Sequence, residues 1–202
     1  MLLTLNTTKP QKRHIRRAAE ILRSGGIIAY PTDTVYGIGC DLSDRKAIRR
    51  LIEIKDRPKR KPFSVICPDF KDVAKFAVVS NYAYKIMRRF LPGPYTFIVQ
   101  ASKEIPKLMV SKQRTVGIRM PDNPIILELV QEFSGPLCTT SVALEKDETI
   151  QDPEVIHARL KDQVALVLDG GVAVSEHSTV VDLTVDPPAV LRPGKGDPTP
   201  FI

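Results

Sequence analysis

Short apolar runs alternate with helical repeats along the whole chain, and the irregular order of that alternation limits the folds open to it. Ile15, Ala18, Ala19 and Leu22 recur at i, i+3, i+4 and i+7, which marks one face of a helix. Gly25-Gly26 ends that helix. Ile27 to Tyr30 then reads as a short buried strand stopped by Pro31. Ala47, Ile48, Leu51 and Ile52 mark a second helix, with Ser43 as its expected N-cap and Pro58 as its limit. The same signals predict strands over 63–67, 95–99, 115–120, 137–142, 164–168, 179–183 and 189–191. They predict helices over 69–78, 81–90, 122–133 (Pro124 in its first turn) and 152–160. The last strands follow one another directly, so a strict βαβ repeat does not fit. The pattern predicts an α/β fold with one mixed, twisted sheet flanked by helices in a single domain. A chain of 202 residues is long enough to bury a core without disulfides or a structural metal.

Charge narrows the partners. The net charge is +7, an excess that fits a polyanion such as RNA, a phosphate-bearing substrate, or a surface that is merely soluble. Composition alone leaves these open. The excess peaks at Lys55-Asp56-Arg57-Pro58-Lys59-Arg60-Lys61, with five cations in seven residues. Lys55 and Arg57 close a predicted helix, where a cation gains about 0.3–1 kcal/mol from the helix dipole. That reason does not reach the three cations beyond Pro58. Flexible lysines beside a forked arginine suit a triphosphate.

Several chemistries find no support. There is no Walker-type loop, and Gly37-Ile38-Gly39 lacks the third glycine of a dinucleotide fingerprint. No serine-hydrolase elbow, zinc-protease helix or deaminase motif is present. His14, His157 and His177 are scattered. Cys40, Cys67 and Cys138 are isolated and odd in number, which predicts reduced thiols used as small core residues and a cytoplasmic setting. No apolar run reaches the ~20 residues of a membrane span, and the first ten residues lack a signal-peptide pattern. Asp169 before Gly170-Gly171 reads as a turn former.

Polar residues instead gather at strand ends. Thr32-Asp33-Thr34 follows a buried strand, where a rigid scaffold commonly positions functional loops. Arg119 ends an apolar strand and needs an anionic partner, internal or external. Thr139, Thr140 and Ser141 put hydroxyls along a strand that otherwise reads as buried. Ser178 and Arg192 sit in comparable places.

At these residues the chain resembles a known family. PTDTVYGIG, KDRPKRKP, PGPYTFI, GIRMPDNP, LDGG, STVVDLT and LRPG occur in this order over nearly the whole sequence. Together they resemble the YrdC-like threonylcarbamoyl-AMP synthases. The ending GDPTPFI and the stretch KQRTVGIR are most similar to the YciO branch. The resemblance implies one α/β-twist domain over 1–202, with its core at about 11–196, and a sheet curved around a basic concave cleft. It implies a nucleotidyltransferase joining L-threonine, bicarbonate and ATP into threonylcarbamoyl-AMP and pyrophosphate. That product feeds the t6A modification of tRNA through partner proteins. Magnesium would arrive with ATP, with no metal site of the protein's own.

Carried over by position, Lys55, Arg57, Lys61, Thr115, Ser141 and Arg192 would hold ATP. Thr34, Arg119, Thr139 and Ser178 would hold threonine. No protein nucleophile is implied, because positioning and fixed charge suffice for attack on a phosphoryl group. The chain departs from the family at Ala143, where many members carry Asn, and at Ile66, where many carry His. The resemblance also implies binding of double-stranded RNA or tRNA. A non-catalytic RNA-binding protein is therefore the alternative reading.

Overall fold

The computed structural model describes residues 1–55, 63–142, 149–173 and 176–202. In chain order its elements are β1 (Leu2–Thr4), α1 (Lys12–Arg23), β2 (Ile28–Tyr30), β3 (Gly37–Asp41), α2 (Arg45–Ile54), β4 (Ser64–Ile66), α3 (Phe70–Phe76), β5 (Ala77–Val78) and α4 (Asn81–Phe90). There follow β6 (Tyr95–Ala101), β7 (Thr115–Arg119), α5 (Pro124–Phe133), β8 (Leu137–Ser141), α6 (Pro153–Leu160), β9 (Leu166–Asp169), β10 (Thr179–Asp182) and β11 (Ala189–Arg192). A 3-10 turn at Thr199–Phe201 ends the chain.

The strands form one mixed sheet in the order β1-β9-β2-β3-β8-β4-β7-β6-β10-β11, with β5 paired to β6 beside this path. The predicted single α/β unit is what the chain builds. Helices cover both faces because both sets of alternating side chains need burial. Ile15, Ala18, Ala19 and Leu22 of α1 pack with Ile125, Ile126, Leu129 and Val130 of α5 over Ile28, Tyr30, Leu166 and Leu168. The opposite face carries Ile38, Cys40, Val65, Phe97, Val116, Ile118 and Cys138 under α2, α3, α4 and α6. Each fully buried Leu, Ile or Phe contributes about 1.5–3 kcal/mol relative to exposure. Burial extends from Leu5 to Phe201, where Phe201 closes an aromatic cluster with Phe90, Tyr95 and Phe97.

Several local expectations change. Asp44, not Ser43, caps α2, because its carboxylate accepts from the N–H groups of Lys46 and Ala47. The helix expected over 69–78 stops at Phe76, and Ala77–Val78 instead pair with β6. Asp169 is the turn former expected: its carboxylate accepts from the Gly171 N–H and the Thr4 hydroxyl. Cys40, Cys67 and Cys138 are free and buried. Among the described residues no helix is long and apolar enough to cross a membrane.

Pattern reading missed β1 and β3 altogether, and β3 shows why. Its two glycines weaken it as a sequence signal, yet tertiary packing requires them. Tyr30 lies across β3, pairing with Gly37 in register, and its ring runs on over Gly39. A Cβ on Gly37 would meet the Tyr30 ring at 2.6 Å, and one on Gly39 would meet the Cys138 carbonyl at 2.6 Å and the Tyr30 hydroxyl at 2.7 Å. Gly39→Ala should therefore lose about 1–3 kcal/mol of stability in urea unfolding. An unchanged midpoint would show that the ring has room to move.

Candidate active site

Only part of the sheet face that carries α1 and α5 is covered by them. Beyond Tyr30, one row across this face is small or hydroxylated. Gly39 pairs with Thr139, Thr139 with Ser64, and Ser64 with Gly117, so one register row crosses four strands without a large apolar residue. The Tyr30 hydroxyl bonds Thr139 Oγ1 at 2.5 Å at one end of the row. At the other end Thr96 packs against Gly117, and Thr96 Oγ1 bonds Ser178 Oγ at 2.8 Å. Thr96, Thr139 and Ser178 are all buried. Burial drives the Tyr30 phenol strongly upward in pKa, although the bond to Thr139 and the charge of Arg119 oppose the shift. Tyr30 thus stays a neutral donor or acceptor.

Arg119 is two positions beyond Gly117 on β7 and points to the same face. Its Nη2 donates to Thr34 Oγ1 at 2.9 Å and to Asp33 Oδ1 at 3.3 Å. Side-chain exposure is 11% for Arg119 and 7% for Asp33, so this is a nearly dry ion pair. Burial lowers the guanidinium pKa, with Asp33 and then Tyr30 opposing the effect, and a guanidinium remains charged regardless. Arginine Nε is buried with no hydrogen-bond partner. The anionic partner demanded by the sequence is internal, but it uses only part of the donor fork.

The loop that supplies Asp33 and Thr34 is tightly built. Thr32 Oγ1 donates to the Val35 carbonyl at 2.7 Å and accepts from the Thr34 N–H at 3.0 Å. Asp33 Oδ2 accepts from the Asp122 N–H at 3.0 Å, tying the loop to the turn before α5. Lys195 Nζ donates to the Asp33 carbonyl.

The other expected contacts are placed as follows. Lys55 caps the end of α2 and reaches β8, where Nζ donates to the Ser141 carbonyl at 2.8 Å. It therefore does more than sit in the helix dipole. Arg192 Nη2 donates to the Ser178 carbonyl at 2.8 Å and approaches Ser178 Oγ at 3.3 Å. Thr115 shares its face with Gly117 and Arg119 but lies four residues, about 13 Å, from the arginine. Its Oγ1 bonds Ser111 Oγ at 2.7 Å. Ile66 is in register with Arg119, yet its side chain is buried among the apolar residues beneath α1 and α5. Arg57, Lys59, Arg60, Lys61 and Ala143 lie outside the described residues.

The structure thus joins Thr34 to Arg119, Lys55 to Ser141, and Ser178 to Arg192. Sequence reasoning missed Tyr30, Ser64, Thr96, Asp33 and Lys195. Asp33 was visible inside its motif, but nothing in the pattern paired it with Arg119. Asp33→Ala should cost about 3–5 kcal/mol in urea unfolding, because it strands a buried charge. Asp33→Ala combined with Arg119→Met should recover most of that loss. A single-variant cost below about 1 kcal/mol would contradict a dry pair.

The fold has counterparts. A family model described as "Telomere recombination", covering Sua5, YciO and YrdC, matches residues 20–194. "Uncharacterized protein YciO" of Escherichia coli (strain K12) is 40% identical over 200 residues, spanning 98% of this chain and 97% of that one. The crystal structure of E. coli YciO superposes with a TM-score of 0.95 at 39% identity, covering 100% of this chain and 99% of that chain. "Threonylcarbamoyl-AMP synthase" of Pyrococcus abyssi (strain GE5 / Orsay) is 32% identical over 182 residues, 89% of this chain and 54% of that protein. The crystal structure of P. abyssi Sua5 complexed with L-threonine superposes with a TM-score of 0.90 at 30% identity, over 96% of this chain and 57% of that one. The chain belongs to the Sua5/YciO/YrdC family.

Proposed function

We propose that the protein makes threonylcarbamoyl-AMP from L-threonine, bicarbonate and MgATP, releasing pyrophosphate. The observation that carries this reading is the buried Arg119, oriented by Asp33 and Thr34 with its Nε left over. A fixed guanidinium with spare in-plane donors matches an amino-acid carboxylate. A threonine-bound relative with the same fold supports placing that carboxylate here. The adjacent hydroxyl row offers weak polar contacts to the rest of the substrate without burying another charge.

The reaction needs little from the protein beyond placement. A carbamate oxygen attacks the α-phosphorus of ATP, and pyrophosphate departs with its charge. Holding the reactants in line converts an encounter into an intramolecular step. Cations beside the leaving group stabilise charge as it develops. Lys55, at the end of α2 with its Nζ against the Ser141 carbonyl, would take that role, together with Arg57 and Lys61 on sequence grounds. Arg192, Ser141 and Thr115 would take the nucleotide, and Thr139 and Ser178 the amino-acid side of the site. Among the described residues no group of three acidic, histidine or cysteine side chains could hold a metal. Magnesium would enter as part of the nucleotide, held mainly by phosphate and water. The product would serve tRNA threonylcarbamoylation.

Net charge +7 favours a second reading, a grip on structured RNA. Ile66 adds to it, because that position presents no polar group to the Arg119 site. In that case affinity for duplex RNA falls steeply with salt as counterions are released.

Incubating the protein with MgATP, bicarbonate and L-threonine should give pyrophosphate and the adenylate in equal amounts. Lys55→Ala should raise KM for ATP about tenfold or more, the scale of one charge-assisted contact of 1.5–3 kcal/mol. Thr34→Val should raise KM for threonine. Absence of product, with salt-sensitive RNA binding instead, would leave the second reading standing.

A further inference from the structure

The strand-free segment after β11 returns to the site and delivers a cation there. The Lys195 N–H donates to the His177 carbonyl at 2.9 Å, and the Gly196 carbonyl accepts from the buried Thr179 hydroxyl. Gly194 packs so closely that a Cβ would fall 2.3 Å from the His177 carbonyl. The backbone of residue 195 is therefore fixed against the 177–179 segment. From that base the exposed Lys195 side chain reaches over to the Asp33 carbonyl. Arg119 holds the carboxylate of the same aspartate. The two cations thus bond the same residue, Lys195 at the main-chain carbonyl of Asp33 and Arg119 at its nearly buried carboxylate.

We infer that Lys195 forms a second anion subsite, which holds the carboxylate built from bicarbonate on the amino acid's nitrogen. The inference rests on the threonine-activating function proposed above and deepens it. An incoming threonine is a zwitterion of zero net charge. With its carboxylate on Arg119, its ammonium lies among cations that outnumber Asp33. Like charge disfavours the ammonium, which gives its proton to solvent water and leaves the neutral amine that can react. The amine nitrogen then bonds to the bicarbonate carbon, and one C–O bond breaks. The departing hydroxide takes a proton from nitrogen and leaves as water. The net change is R-NH2 + HCO3⁻ → R-NH-COO⁻ + H2O, with atoms and charge balanced. The bound species now carries two negative groups. Arg119 alone can match one of them, and Lys195 supplies the partner for the other.

Stable probes separate this subsite from turnover. N-sulfo-L-threonine places a fixed anion where the carbamate would be, and N-acetyl-L-threonine places a neutral group there. Calorimetric titration of the full-length protein should show at least tenfold tighter binding of the sulfamate. Lys195→Met should erase that preference while keeping the N-acetyl affinity within about twofold, and Lys195→Arg should retain it. A preference that survives in Lys195→Met overturns the assignment of Lys195 but spares the threonine site. An equal loss for both probes makes Lys195 a structural clasp and also overturns it. If neither probe nor L-threonine binds the wild-type protein, the threonine site itself fails and this subsite fails with it.

Discussion

Asp33 and Arg119 meet where water hardly reaches, and three distant stretches of chain are organised around their pair. Arg119 comes from the end of a central strand, Asp33 from the loop after β2, and Lys195 from beyond the last strand. A buried ion pair is seldom a net source of stability, because desolvation offsets much of the attraction. Its value here lies in orientation. Thr34 and Asp33 both accept from one nitrogen of the guanidinium and hold its plane, and its Nε is left without a partner before any ligand arrives. Such preorganisation is the form in which a protein without a nucleophile can promote an adenylation.

A second constraint keeps the neighbouring sheet face polar. Tyr30 lies flat over the two glycines of β3 and bonds Thr139. Its ring thereby seals the apolar layer under α1 and α5 on one side. Its hydroxyl begins the row of small polar residues on the other. Any larger residue in that row would either fill the surface or push Tyr30 aside. The same feature thus serves packing and binding, and for that reason β3 carries glycine where a strand would ordinarily carry valine or isoleucine.

Helices and most strands were legible in the sequence because periodicity reports burial directly. The α1 face at Ile15, Ala18, Ala19 and Leu22 and Pro124 in the first turn of α5 were read correctly. The failures share a cause. β3 was invisible because its residues answer to the Tyr30 ring on the neighbouring strand β2, not to local propensity. Phe76 looked like mid-helix, yet pairing of Ala77–Val78 with β6 overrode the helical repeat. Ser43 and Asp44 are both capping residues, and only backbone geometry chose between them. In the site, Thr34 and Arg119 were named from motifs, but their contact was not. Lys195 had no signal at all, since it lies in a Gly/Pro-rich stretch and bonds a residue 162 positions earlier.

The central claim is that Arg119 waits, oriented and partly unpaired, for an amino-acid carboxylate. Arginine Nε–H resonances observed by 1H–15N NMR test it most directly, with the Arg119 signal assigned by its loss in Arg119→Lys. On titration with L-threonine that one buried signal should move in a saturable way, while the signals of exposed arginines such as Arg13 stay in place. Saturable threonine binding that leaves the Arg119 resonance unmoved, or no binding of threonine at all, would contradict the claim.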